Sequence, residues 1–185
     1  MKITTNNTIG IFVILTSLSL ITALTSISYF SSAEVFAVQG GQQKFKAQLS
    51  GDQEVPPVQT TASGMAWFKQ MQDKVWFKLS VTDMQGVTQA HIHTGKVGEN
   101  GPVVVTLYKS ETPQPINGKL SYGNITANVL EGPLKGKQIS DLVTAMSNGS
   151  TYVNVHTEKY PNGEIRGQIM IANSTSDAIM MRSMK

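Results

Sequence analysis

From Lys44 onward apolar and polar residues alternate. Phe45, Ala47 and Leu49 interleave with Lys44, Lys46 and Gln48, and Val75, Phe77, Leu79 and Val81 interleave with Lys74, Trp76, Lys78 and Ser80. A period of two places one set on a buried face and the other on a wetter one, which is the signature of half-buried strands. Further strand candidates span residues 64–70, 87–93, 103–108, 119–128, 151–157 and 164–171. Between them lie Val55-Pro56-Pro57, Gly98-Glu99-Asn100-Gly101-Pro102, Glu131-Gly132-Pro133 and Pro161-Asn162-Gly163, all built from turn-forming residues. Short strands punctuated in this way predict an all-β domain over residues 44–172, an antiparallel β-sandwich of Greek-key type, immunoglobulin-like or superoxide-dismutase-like. One segment breaks the pattern. Ile139, Leu142, Val143 and Met146 recur at helical spacing and Asn148-Gly149 supplies a stop, so a short helix is expected there. After Ala172 the alternation ends, and residues 173–185 read as a flexible tail.

The beginning of the chain has a different character. Lys2 is followed by no charged residue until Glu34, and residues 9–30 are dominated by Ile, Leu, Val, Phe, Ser and Thr. Residues 1–37 therefore read as a signal peptide, with Ser31-Ser32-Ala33 and Val35-Phe36-Ala37 as cleavage sites, or as an N-terminal membrane anchor helix, because the uncharged stretch reaches the ~20 residues that span a bilayer. Either reading places the domain outside the cell or on its surface, with the membrane as a partner only through residues 9–30 if they are retained. The chain has no cysteine, so disulfides contribute nothing and stability must come from burial and sheet hydrogen bonds. Its net charge of +3 comes from lysines scattered singly, without arginine clusters or interleaved aromatics, which argues against a nucleic-acid partner.

The three histidines carry the candidate chemistry. On a strand, His91 and His93 leave one face while Ile92 enters the other, and in Tyr152-Val153-Asn154-Val155-His156 the valines oppose Tyr152, Asn154 and His156. All three imidazoles thus oppose apolar stripes. A His-x-His pair joined by one distant histidine suits a mononuclear copper or zinc site. The competing reading has the same rings hydrogen-bonding across strands or to loop carbonyls. Glu164, Glu158 and Asn154 are the outer-shell acceptors the sequence offers, and Glu164 and Arg166 are placed at the edge of the patch, Arg166 either drawing an anion toward a metal or pairing with Glu164, Asp52 or Glu54. Asp52 and Glu54 read as a solvated turn or, less directly, as calcium ligands. No nucleophile elbow, phosphate loop, His-Glu-x-x-His or dinucleotide fingerprint occurs, and no catalytic residue is assigned.

Three ordered stretches carry a family resemblance: Leu49-Ser50-Gly51-Asp52-Gln53-Glu54-Val55-Pro56-Pro57-Val58, Ala90-His91-Ile92-His93-Thr94-Gly95 with Asn100-Gly101-Pro102-Val103-Val104, and Asn154-Val155-His156-Thr157 through Tyr160-Pro161-Asn162-Gly163-Glu164-Ile165-Arg166-Gly167-Gln168-Ile169. Together they resemble the CHRD domain, first named from chordin, across residues 44–172. The resemblance implies a secreted or surface β-domain. Animal chordins bind growth factors through cysteine-rich modules that this chain lacks, so that activity is not carried over. A weaker resemblance is to copper/zinc superoxide dismutases, whose binuclear site needs more histidines than this chain has. The resulting expectation is a non-catalytic exported binding module for an extracellular ligand, with a His-lined metal site. Its alternatives are a mononuclear metal-dependent oxidoreductase and a structural component of the cell envelope.

Overall fold

The computed structural model describes residues 42–173 together with 177 and 179. The expected signal or anchor helix, residues 1–37, lies outside the described residues, and no described helix is long and apolar enough to cross a membrane. Seven strands form the domain: β1 (Lys44–Ser50), β2 (Ser63–Gln70), β3 (Lys74–Thr94), β4 (Val103–Thr126), β5 (Thr151–Thr157), β6 (Ile165–Gln168) and β7 (Met170–Ile171). All pairings are antiparallel. The sheet runs β2-β1-β6-β5-β3-β4, and β2 also pairs with β3 over Ser63–Gln70. That extra pairing corrects the expected sandwich: β1, β2, β3, β5 and β6 close on themselves as a five-stranded barrel, with β4 added along β3 and β7 along β1.

Closure is possible because β3 is long and bent. The stretches expected as separate strands at 75–81 and 87–93 are one element, whose first half pairs with β2 and whose second half pairs with β5. Between them the register slips at Val81/Met84 and Met84/Val87, and Asp83 and Gly86 adopt φ of 57° and 63°. Such bulges bend a strand and increase its twist. They also change the spacing of inward positions from two to three, so that Val81, Met84, Val87 and Ala90 all enter the core before the regular alternation returns at Ile92. The stretches at 103–108 and 119–128 likewise belong to one bent strand, β4, which ends at Thr126.

The barrel interior holds Phe45 and Leu49, Phe68, Phe77 and Leu79, Ile92, Val153 and Val155, and Ile165, all at most 6 % exposed. The helix α1 (Ile139–Ser147) packs Ile139, Leu142, Val143 and Met146 into the same core, as their spacing predicts. Asp141 accepts a hydrogen bond from the Gln138 N–H at 2.8 Å, tying down the first turn. Within the expected tail, Asp177 is buried and its carboxylate accepts from Lys46 Nζ at 2.8 Å.

Candidate metal centre

The barrel has a second core on its outer surface. Pairing of β3 with β5 sets His91 beside Asn154 and His93 beside Tyr152, while β5 with β6 sets Asn154 beside Arg166 and Tyr152 beside Gln168. Paired residues share a face, so these side chains form one outward layer opposite Ile92, Val153 and Val155. Loops cover it. His91, His156, Asn154, Glu54, Glu164, Tyr152 and Arg166 are all less than 9 % exposed, although each points away from the barrel interior.

His91, His93 and His156 converge, each offering a ligand atom within 4.8 Å of the others. His91 Nδ1 lies 3.1 Å from His156 Nε2. Two of the rings are oriented by main-chain carbonyls. His93 Nδ1 is 2.8 Å from Gly101 O and His156 Nδ1 is 2.9 Å from Pro161 O. A carbonyl oxygen only accepts, so both Nδ1 atoms carry the proton and the Nε2 atoms of the neutral rings present lone pairs to the cluster. Burial, reinforced by the neighbouring His156 and His93, pulls the His91 pKa down to about 4. His93 and His156 are also lowered, chiefly by burial. Neutral imidazoles in this arrangement are ligand-competent at neutral pH.

Gly101 is the pivot of the loop over His93. Its carbonyl takes the His93 proton and its N–H donates to Tyr152 Oη at 3.2 Å. A side chain here would drive into the Thr94 carbonyl, so only glycine lets the loop lie this close.

Arg166 stands beside the cluster and does something the sequence did not indicate. It is 2 % exposed and pairs with none of Glu164, Asp52 or Glu54. Its guanidinium donates instead to Lys96 O at 3.2 Å, Glu99 O at 2.5 Å and Asn100 Oδ1 at 3.0 Å, and lies over the Tyr152 ring at 3.5 Å. Asn100 in turn donates to Val55 O at 2.9 Å, joining the 96–101 loop to the loop that carries Glu54. Glu164 is turned away from the imidazoles, accepting from Thr60 Oγ1 at 2.7 Å and Thr157 Oγ1 at 2.8 Å. Of the proposed outer-shell acceptors, Asn154 is the one that reaches a ring, with Oδ1 at 3.0 Å from His93 Nε2.

Glu54 was expected in a solvated turn beside Asp52. Asp52 is exposed, but Glu54 is 5 % exposed, and burial raises its pKa to about 7 against the opposing pull of Arg166. Its Oε1 completes no hydrogen bond of normal geometry, although the Asn154 amide favours its ionised form. The signal that could have found it is Pro56-Pro57, a turn-forming pair that follows Glu54 by two residues.

The CHRD domain model matches residues 45–169. Chordin of Xenopus laevis is 29 % identical over 141 residues, covering 71 % of this chain and 13 % of that protein. The chain thus corresponds to a small part of the curated relative. No solved structure matches. With the three ordered motifs assembled into one polar layer and the family model spanning the barrel from β1 to the end of β6, the chain belongs to the CHRD domain family.

Proposed function

We propose that this CHRD domain is an exported, non-catalytic binding module that holds one zinc or copper ion on His91, His93 and His156. One observation carries the reading: three imidazoles on paired strands bring ligand atoms within 4.8 Å of one another, in an outward layer roofed by loops. Zinc and copper accept neutral imidazole at bond lengths of ~2.0–2.1 Å, and outer-shell acceptors on the second ring nitrogen are what such ligands require. Gly101 O and Pro161 O are those acceptors for His93 and His156. Bound there, the ion would link β3 to β5 and fix the surface that the 96–101 and 158–163 loops present to a partner outside the cell. Export rests on the uncharged segment at residues 9–30.

The oxidoreductase alternative needs a cation free to draw an anion toward the metal. Arg166, the candidate, spends its N–H groups on Lys96, Glu99 and Asn100. This favours the binding module.

The test is elemental analysis of protein purified without an affinity tag, followed by titration of the stripped protein with Zn2+. The expected result is about one equivalent of metal, lost in His91→Ala and His156→Ala. A parent protein that binds neither zinc nor copper ends the reading, and superoxide turnover by the loaded protein would restore the enzymatic one.

A further inference from the structure

His93 Nε2 and Asn154 Oδ1 face each other at 3.0 Å, and the surrounding partners make both of them acceptors. His93 commits its Nδ1 proton to Gly101 O, so the neutral ring has only a lone pair at Nε2. The Asn154 amide is oriented by what lies on its far side. Its Nδ2 points to Asn162 O at 3.4 Å, and a Cβ added at Gly163 would stand 2.5 Å from both that nitrogen and Glu54 Oε1. Turning the amide over would set its oxygen against the Asn162 carbonyl, which can only accept, and would withdraw the N–H that favours the ionised form of Glu54, so Oδ1 belongs toward His93. Asn154 is 3 % exposed. Two lone pairs aimed at each other in a buried layer repel unless something positive stands between them.

A proton between them would make His93 an imidazolium, with its ring stacked on the same tyrosine that the Arg166 guanidinium covers. A metal ion satisfies both atoms, since M–N and M–O bonds of ~2.0–2.2 Å span donors about this far apart. His91 Nδ1 and His156 Nε2, at 3.1 Å, have the same spacing.

We propose that Asn154 Oδ1 is the fourth protein donor of the centre, completing a three-histidine, one-amide set. This rests on the metal reading above and extends it to selectivity. An oxygen donor suits a divalent ion of the zinc type, whereas cuprous copper is content with imidazoles and gains little from an amide. With four protein donors a tetrahedral ion keeps no position for a substrate, which is the arrangement of a structural rather than a catalytic centre.

The experiment compares Zn2+ and Cu+ affinities, by competition with chromophoric chelators, in the parent, Asn154→Ala and Asn154→Asp, and reads the His93 ring nitrogens of the metal-free protein by NMR. Asn154→Ala should lose at least about tenfold in Zn2+ affinity while Cu+ affinity changes by less than about threefold. Asn154→Asp, which keeps an oxygen, should match or exceed the parent for Zn2+. Equal Zn2+ affinity in parent and Asn154→Ala overturns the fourth donor and leaves the three-histidine site standing, whereas a parent that takes neither ion removes the site itself. If Asn154→Ala does not fold, Asn154→Asp decides, a tenfold loss of Zn2+ affinity there counting against the proposal. A His93 that is doubly protonated at neutral pH in the metal-free parent and neutral in Asn154→Ala would show that the pair was built for a proton, and would overturn it as well.

Discussion

The His93 ring lies on the Tyr152 ring, centroids 4.9 Å apart and planes within 7° of parallel. The Arg166 guanidinium, 3.5 Å from the Tyr152 centroid, must take the opposite face because both groups cannot occupy one. Tyr152 is therefore the middle of a three-layer stack, and it is also hydrogen-bonded to the Gly101 N–H. The two roles separate by substitution. Tyr152→Phe keeps the stack but leaves a half-buried N–H without its acceptor, and should cost ~1–2 kcal/mol in urea unfolding. Tyr152→Leu loses both, and should cost at least ~1 kcal/mol more. If the two variants unfold together, the stack contributes nothing.

Arg166 gathers three acceptors from one loop, a task that depends on its planar fork of donors. Lysine keeps the charge but not the fork. Arg166→Lys should therefore lose ~2 kcal/mol or more of stability, and amide hydrogen exchange should accelerate over residues 96–101 while the barrel strands keep their protection. A variant with unchanged exchange in that loop would mean that the charge, and not the hydrogen bonding, is what the site requires.

Acid should destabilise the metal-free protein through its histidines. His91 takes a proton at its ordinary value of 6.5 when unfolded but only near 4 when folded. Its contribution is thus fully present above pH 6.5 and is lost as pH falls from there toward 4, a loss of ~3 kcal/mol. His93 and His156, lowered in the same direction, add to it. Glu54 acts with the opposite sign: folded, it holds its proton up to about 7, while the unfolded chain releases it near 4.5. Its burial therefore costs stability as pH rises through that window. Glu54→Gln removes this opposing slope, so the variant should gain on the parent by ~2–3 kcal/mol between pH 4 and pH 8. Parallel stability curves for variant and parent would show that Glu54 is not perturbed.

Much of the inner and outer layering was legible from alternation alone. Ile92, Val153, Val155, Phe77 and Ile169 are buried where the period of two places them, and the three imidazoles share the opposite face. Barrel closure was not legible, because it depends on pairings between segments far apart in the chain: β3 with β5, and β6 with β1 through Ser50 and Arg166. The stretch Asp83-Met84-Gln85-Gly86 contains turn-forming residues and reads as a gap between strands. The strand instead passes through it by slipping register, which local propensity does not encode. Glu54 and Arg166 escaped for a related reason. A charged residue in a sequence is read as solvated or ion-paired, and neither description covers a guanidinium held by carbonyls or a carboxyl roofed by its own loop.

The pattern His91-Ile92-His93 makes the fold answerable to a single residue of slippage. Were β3 to shift by one position against β5, Ile92 would be turned out to the loops and two imidazoles would be thrust into a barrel lined with Phe, Leu, Ile and Val, where their ring nitrogens would find no partners. A closed barrel without cysteine has no covalent cross-link to correct such an error, so the alternation of these three side chains works as a gauge of register. A chain whose histidines meet has, by that fact, threaded its strands correctly.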